Sequence, residues 1–546
     1  LPTHHAALIV PHRTRAPSTP GDWRWPLILI LALTAWRLLI AGTVPVTQDE
    51  AYYFNWAQSL AWGYFDHPPG VALLGIGSWI APGSAFAARL GTIIAGTLTL
   101  LILWRFYRAC GLTRDRDLLL ALVLAAGTVP GMISGVITTP DTVLALCWAL
   151  ALHEALAALQ GNRKRWLTAG LATGLGLLGK YTMVVIGPVF LWAILLADPR
   201  ALRTLWPYLG GLLALLLFLP NIAWNADNDW LTMRFQFGHG FSAETGRIVL
   251  AAHSLPAATG PMAYSPPQTG PLTPADRLAS LGGYLGSQLA FWGMLLLPLA
   301  AAPFVQGGLH RIRRDLTTSL SAPAGTLLTA GILVPLMVFG AVSLISDVEA
   351  NWSALYLACA APVAAIMLQP LARWASAAAA TNLLLVSLYA FHAATGLLPL
   401  PSAADRIMRE THGYAALANH AASLPGPVFA DRYAFAAMLN FYRPELAVPQ
   451  WPGISRPSEY GRGRIVPIPA LAALRDSGFW LVAYKFSPPT IPGFTAVATQ
   501  STFDCKGQPL QVVAGGVGWD TAICDEPYHG WRIYRYVADG EPSARH

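Results

Sequence analysis

Residues 47–69 read TQDEAYYFNWAQSLAWGYFDHPP, and their setting decides the fold. They follow the first long apolar run, with Asp49 and Glu50 placed where that run should leave a bilayer. Tyr52, Tyr53, Trp56 and Leu60 then recur at three- and four-residue spacing, the period of a short helix with an aromatic face. Such a face favours the boundary between headgroups and hydrocarbon, so interfacial helices are expected in this first loop. Two prolines after Asp66-His67 block further helix and fix those polar residues at its end.

Composition sets the class around this stretch. Of 546 residues, 54% are hydrophobic and 12% charged, and the mean hydropathy is +0.46. A soluble globular domain carries about 25% charged residues, so an α-helical polytopic membrane protein is indicated. The net charge of +7 does not point to nucleic acid, because the basic residues sit in short connectors between apolar runs. Spans of roughly 17–25 residues are expected near 26–44, 85–106, 118–137, 142–159, 166–179, 181–197, 205–223, 278–304, 325–346, 353–369 and 379–399, about eleven in all. The first reads as a span that stays, without a small-residue cleavage site.

Every second connector is basic. Arg13, Arg15 and Arg24 lead, followed by Arg105 to Arg116, then Arg163 to Arg165, Arg200 with Arg203, Arg311 to Arg314, and Arg373. The positive-inside rule puts these, and the 1–25 tail, in the cytoplasm. The 26–400 region is then the transmembrane domain. The first loop, the long 224–277 loop and residues 401–546 face outward, the last as a small α/β domain. Cys110, Cys147 and Cys359 lie in or beside apolar runs as small buried hydrophobes. Cys505 and Cys524 lie in the polar tail and are expected to form a disulfide if it is outside the cytoplasm.

Charges at the ends of spans carry the functional reading. Asp141 follows Thr138-Thr139-Pro140, where a threonine cap and an acid on the helix dipole account for it equally well. Lys180 stands in LLGKYT on the side where basic residues are disfavoured, although a snorkelling lysine would look the same. Arg89 and Arg277 open spans from outside and would serve as interfacial anchors or as ligands. Glu349 and Asn351, in DVEANW, form an outer corner that an ordinary polar turn also explains. Together these groups suit transfer from a phosphate leaving group, with a carboxylate taking the proton of an attacking hydroxyl and cations meeting the charge on the departing phosphate. Asp66 and His67 near Asp49 could bind a divalent cation, although no cofactor is required.

The Asp49-Glu50 pair, the aromatic helix, YFDHPP, Arg89-Leu90, Thr139-Pro140-Asp141 and Gly179-Lys180-Tyr181-Thr182 resemble, in this order, the bacterial glycosyltransferase family 39 group. These are protein-mannosyltransferase-like enzymes of GT-C fold, related to the lipid A aminoarabinose transferase, and the resemblance covers about residues 26–370. It implies that 26–400 is a catalytic domain in a bacterial inner membrane, with the active site and the C-terminal domain on the periplasmic side, a polyprenyl-phosphate sugar donor, and an inverting transfer to an envelope glycan or glycolipid of the lipid A or lipopolysaccharide kind. It also implies Asp49 as base with Glu50 its neighbour, Asp141 as the second acid and Lys180 as a phosphate contact. Tyr52, Asp66, His67, Arg89, Arg277, Glu349 and Asn351 would bind substrate. Asp66-His67 stand where the aminoarabinose enzyme has Glu-Lys, which leaves phosphate, metal and acceptor open for that segment. A flippase of lipid-linked sugars and a protein O-glycosyltransferase are the alternatives. A transporter would place charges near the bilayer midplane on broken helices, in two related halves.

Overall fold

In the computed structural model, residues 23–241, 255–258, 273–346, 348–484, 487–506, 508, 510–515 and 524–540 are described. Among them, seven helices are long and apolar enough to cross a membrane, or up to eight counting one bent pair. They are Arg24–Thr43, Ala85–Cys110, Pro140–Leu159, Trp206–Asp227, Ala322–Ser343, Ala350–Met367 and Gln369–Thr395. Each falls on an expected span. The other expected spans are also apolar helix but shorter or broken. Asp115–Gly127 stops at Thr128 and restarts as Val129–Ile133, because Thr128 caps the second piece and Pro130 stands in its first turn. Arg165–Gly179 has 15 residues, Tyr181–Ala197 is a shorter apolar helix, and Pro274–Ala290 meets Gly293–Val305 at 90°. Hydropathy registers apolar length but not a break inside it, so the count falls from about eleven to seven or eight. Of the expected outer loop 224–277, residues 242–254 and 259–272 lie outside the described residues; the rest includes the end of Trp206–Asp227, the helix Leu231–Phe241 and the start of Pro274–Ala290.

Close backbone contact holds the bundle where glycines face each other. A methyl on Gly170 would stand 2.0 Å from the carbonyl oxygen of Gly210, so Arg165–Gly179 and Trp206–Asp227 cross with no side chain between them.

The chain after Gly396 builds a five-stranded mixed sheet: β1 (Val428–Ala430), β2 (Phe479–Tyr484), β3 (Phe494–Asp504), β4 (Gln511–Gly515) and β5 (His529–Ala538). The order is β1-β2-β5-β3-β4, with β1 parallel to β2 and the other pairs antiparallel. Strands β1, β2, β3 and β5 lie on PVFADRY, FWLVAY, GFTAVATQSTF and WRIYRYV, runs rich in β-branched and aromatic residues; β4, short and mostly exposed, is QVVAG. Cys505 and Cys524 form a disulfide just beyond β3. Replacing both by Ser is expected to destabilise this domain by about 3 kcal/mol, seen as a lower thermal midpoint under non-reducing conditions; an unchanged midpoint would leave the bridge without a stabilising role.

One expectation is corrected here. Tyr52, Tyr53, Phe54 and Trp56 do not present an aromatic face to a bilayer. They are buried in one core with Phe435, Met438, Leu439, Tyr460 and Trp531 of the C-terminal domain. A three- and four-residue aromatic spacing is the same whether the face meets lipid or protein, and here protein covers it. Only Leu60, 48% exposed, stays outside.

Candidate active site

The first-loop helix Gln48–Trp56 begins with a capping box. Thr47 Oγ1 accepts from the Glu50 backbone N–H at 3.3 Å, and the Glu50 carboxylate accepts from the Thr47 N–H at 3.0 Å. Glu50 then turns inward to Arg89, whose Nε and Nη2 donate to its two carboxylate oxygens at 2.8 and 2.7 Å. Both side chains are completely buried. Arg89 also donates to the carbonyls of Val44 and Pro45, and the Thr138 N–H donates to Glu50 at 3.1 Å. The pair thus ties the first loop to the openings of Ala85–Cys110 and Pro140–Leu159. Neighbouring residues on a helix point about 100° apart, so with Glu50 turned in, Asp49 is turned out.

Asp49 is open to solvent, yet protein surrounds it on most sides. Its carboxylate accepts from the Tyr433 hydroxyl at 3.0 Å, a residue at the start of the C-terminal helix Tyr433–Tyr442. Burial raises the Asp49 pKa above the usual carboxylate value; the Tyr433 hydrogen bond and the positive Arg456 oppose that rise without cancelling it. Tyr52, three residues on, lies beneath, its hydroxyl accepting from the Glu459 N–H at 3.0 Å.

The second half of the first loop is held from two sides. Arg456 donates to Asp66 at 2.5 Å and lies over the Tyr433 ring at 4.1 Å. Burial works against the charge of Arg456, but Asp66 and the phenols of Tyr433 and Tyr52 outweigh it and hold the guanidinium firmly protonated. Gln236 donates to the Asp66 carbonyl. On the other side, Gly70 rests on the end of Arg165–Gly179, where a methyl would stand 2.8 Å from both Gly179 Cα and the Leu178 carbonyl oxygen. This contact brings the loop against Lys180. Burial lowers His67 to a pKa of about 4, with Lys180 lowering it further and Asp66 and Asp141 opposing. His67 is therefore neutral at pH 7.

Lys180 leaves the helix in extended backbone and donates to both Asp141 oxygens, at 2.8 and 2.9 Å. Asn351 donates to Asp141 at 2.7 Å. The structure thus gathers Asp141, Lys180 and Asn351 into one network and Asp49, Asp66, Tyr433 and Arg456 into another, with His67 sensing charges of both. Arg277 stands exposed in the first turn of Pro274–Ala290, and Glu349 is exposed at the start of Ala350–Tyr356.

The Asp66 carboxylate pairs with Arg456, and among the described residues no three His, Cys, Asp or Glu side chains converge to hold a metal. Tyr433 and Arg456 escape the sequence reading, because nearly 400 residues separate each from its partner, Asp49 or Asp66. The one available signal is the loop ISRPSEYGRGR at 454–464, where arginines crowd a Gly- and Ser-rich connector of an otherwise regular domain.

Two cavities adjoin these networks. One of about 280 Å³ is lined by Asp141 and Asn351 among apolar side chains. The other, about 210 Å³, lies beside Asp49's neighbour Gln48 and is lined by Arg406, Arg409, Glu410 and Arg432.

Residues 66–224 match the family model described as dolichyl-phosphate-mannose-protein mannosyltransferase. Over 215 residues, 38% of this chain and 45% of that protein, the sequence is 26% identical to the lipid A galacturonosyltransferase RgtD of Rhizobium johnstonii. Over 168 residues, 30% of each chain, it is 29% identical to undecaprenyl phosphate-alpha-4-amino-4-deoxy-L-arabinose arabinosyl transferase 1 of Sodalis glossinidius. The chain therefore spans less than half the length of the curated relatives it matches. Its fold is similar to that of ArnT from Cupriavidus metallidurans in the apo state, with a TM-score of 0.56 at 14% identity, over 93% of this chain and 97% of that one. The same protein bound to undecaprenyl phosphate gives a TM-score of 0.55. Residues 66–224 thus carry the sequence pattern of the dolichyl-phosphate-mannose-protein mannosyltransferase family, within a multi-pass membrane protein of ArnT-like fold.

Proposed function

We propose that this protein is a glycosyltransferase that moves one sugar, with inversion, from a polyprenyl phosphate to a hydroxyl of an envelope glycolipid or polysaccharide of the lipid A kind. The observation that carries this reading is Asp49, a carboxylate left open beside the firmly charged Arg456 and tied through Asp66-His67 to the Lys180–Asp141 pair. Asp49 takes the proton of the acceptor hydroxyl as its oxygen attacks the anomeric carbon. The bond from that carbon to the phosphate oxygen breaks, and the polyprenyl phosphate leaves with the electron pair. Arg456 and Lys180 face the negative charge that develops there. Tyr433 positions Asp49, Asp66 positions Arg456, and Asp141 with Asn351 positions Lys180.

The donor class is supported by the relatives, one named for an undecaprenyl phosphate sugar and one structure holding undecaprenyl phosphate. For the acceptor, RgtD is named for lipid A, and the arginine-lined cavity next to Asp49 suits an acceptor bearing phosphate or carboxylate groups. An outward orientation of the site is supported by the basic connectors and by the disulfide of the C-terminal domain, since disulfides persist on the oxidising side of a bacterial inner membrane. Eleven crossings would follow if the shorter helices also span.

Purified protein in detergent is to be incubated with a polyprenyl-phosphate sugar and either lipid A or an unstructured peptide. Loss of the sugar from the lipid with lipid A present is the expected result. Transfer to the peptide alone would favour protein O-glycosylation, and, with the protein reconstituted into vesicles, transbilayer movement of the lipid without loss of its sugar would favour a flippase. With Asp49 as base, kcat/KM rises with pH through its raised pKa. Tyr433→Phe removes a hydrogen bond to the ionised form, so the acid limb is expected to move to higher pH; an unmoved limb would separate Tyr433 from the base.

A further inference from the structure

The helix Leu309–Ser319, LHRIRRDLTTS, is tied at both ends to the bundle. Just before it, the Gln306 side chain donates to the carbonyl of Met367; just after it, the Ser321 N–H donates to the carbonyl of Cys110 at 3.0 Å. Met367 ends the span that opens beside Asn351, and Cys110 ends the span that opens beside Arg89. Both therefore mark the face of the bundle remote from the site, roughly 25–30 Å away at 1.5 Å per helical residue. A short helix fastened to the ends of two spans runs across that face, not along the spans.

Its sides differ in chemistry. Ile312 is buried and Leu316, four residues on and so on the same side, packs against the core of the bundle. Arg311, Arg313 and Arg314 are exposed on the remaining surface. Asp315 stands 3.5 Å from Arg314, and among the described residues no carboxylate pairs with Arg311 or Arg313. Arg373, exposed six residues after Met367, lies over the exposed Trp374 ring at 5.7 Å, and Arg108 is exposed two residues before Cys110. At the entry to the helix, the Gly308 N–H closes a turn on the Pro303 carbonyl at 2.8 Å and leaves Phe304 86% and Leu309 72% exposed. Large apolar groups beside uncompensated guanidiniums match the layered chemistry of a membrane surface, where acyl chains lie next to phosphates.

We propose that this helix is a binding surface for anionic phospholipid, with headgroups seated on Arg311, Arg313 and Arg314 and with Phe304 and Leu309 entering the acyl layer. The excess of cation over carboxylate selects a headgroup of net negative charge over a zwitterionic one. An acidic protein or a nucleic acid would meet the arginines but leave Phe304 and Leu309 without a partner. The surface is independent of the transfer reading, because none of its residues belongs to the networks around Asp49 or Lys180.

The test uses the full chain in dodecyl maltoside, with bound lipid counted by native mass spectrometry and the thermal midpoint read beside it. The probes are dioleoylphosphatidylglycerol, dioleoylphosphatidylcholine and inorganic phosphate. Phosphatidylglycerol is expected to bind about tenfold more tightly than phosphatidylcholine and to raise the midpoint. Arg311→Gln, Arg313→Gln and Arg314→Gln together are expected to remove that preference, and Lys180→Gln to keep it. If the triple variant does not fold, a photoreactive phosphatidylglycerol added to the wild type decides, with label expected on residues 304–319. Equal binding of the two lipids, a preference that survives the triple variant, label confined to other residues, or equal protection by inorganic phosphate would overturn the proposal.

Discussion

Asp49→Asn is expected to slow sugar transfer by about 10²–10⁴-fold, the range that a positioned general base contributes, with no change in thermal midpoint. Asn has the shape of Asp and its side-chain oxygen can still accept from Tyr433, so the contact with the C-terminal domain survives while the proton acceptor is lost. Donor binding should be retained, because Arg456 and Lys180 keep their own carboxylates, Asp66 and Asp141. The measurement is single-turnover transfer at saturating donor, beside a separate binding isotherm. Turnover within threefold of wild type would remove Asp49 from the chemistry. Asp141 would not simply replace it, since both its oxygens are already engaged by Lys180 and Asn351.

Glu50→Ala should do the reverse, lowering stability by about 3–5 kcal/mol because it strands the fully buried Arg89 without its counter-charge. The loss reaches the site indirectly, through the capping box and Thr138. Replacing both partners together, Glu50→Met with Arg89→Met, removes the stranded charge and is expected to recover most of the midpoint. That double variant also separates two roles for Glu50. If it folds and transfers sugar at a reduced but measurable rate, Glu50 is a support for its neighbour; if it folds and is inactive across pH, Glu50 takes part in the chemistry itself.

The transmembrane helices were legible because apolar length and alternating basic connectors are written locally. Asp49, Asp141 and Lys180 were legible for the same reason, as charges at span ends where charge is costly. What binds each charge was not. Glu50 and Arg89 are 39 residues apart, as are Asp141 and Lys180, and only the crossing of helices brings them together. Arg89 read as an interfacial anchor or a ligand from its place alone, whereas four of its five donors go to Glu50 and two backbone carbonyls. The aromatic face of Gln48–Trp56 pointed to lipid by composition, and only a domain more than 350 residues later supplies the protein that covers it.

That shared aromatic core limits how this protein can be recombined. The C-terminal domain is no interchangeable module: a graft from a relative would have to bring its own version of residues 48–66, or leave tyrosines and a tryptophan facing water. Shuffling within this fold should therefore succeed only when the two distant segments travel as one cassette.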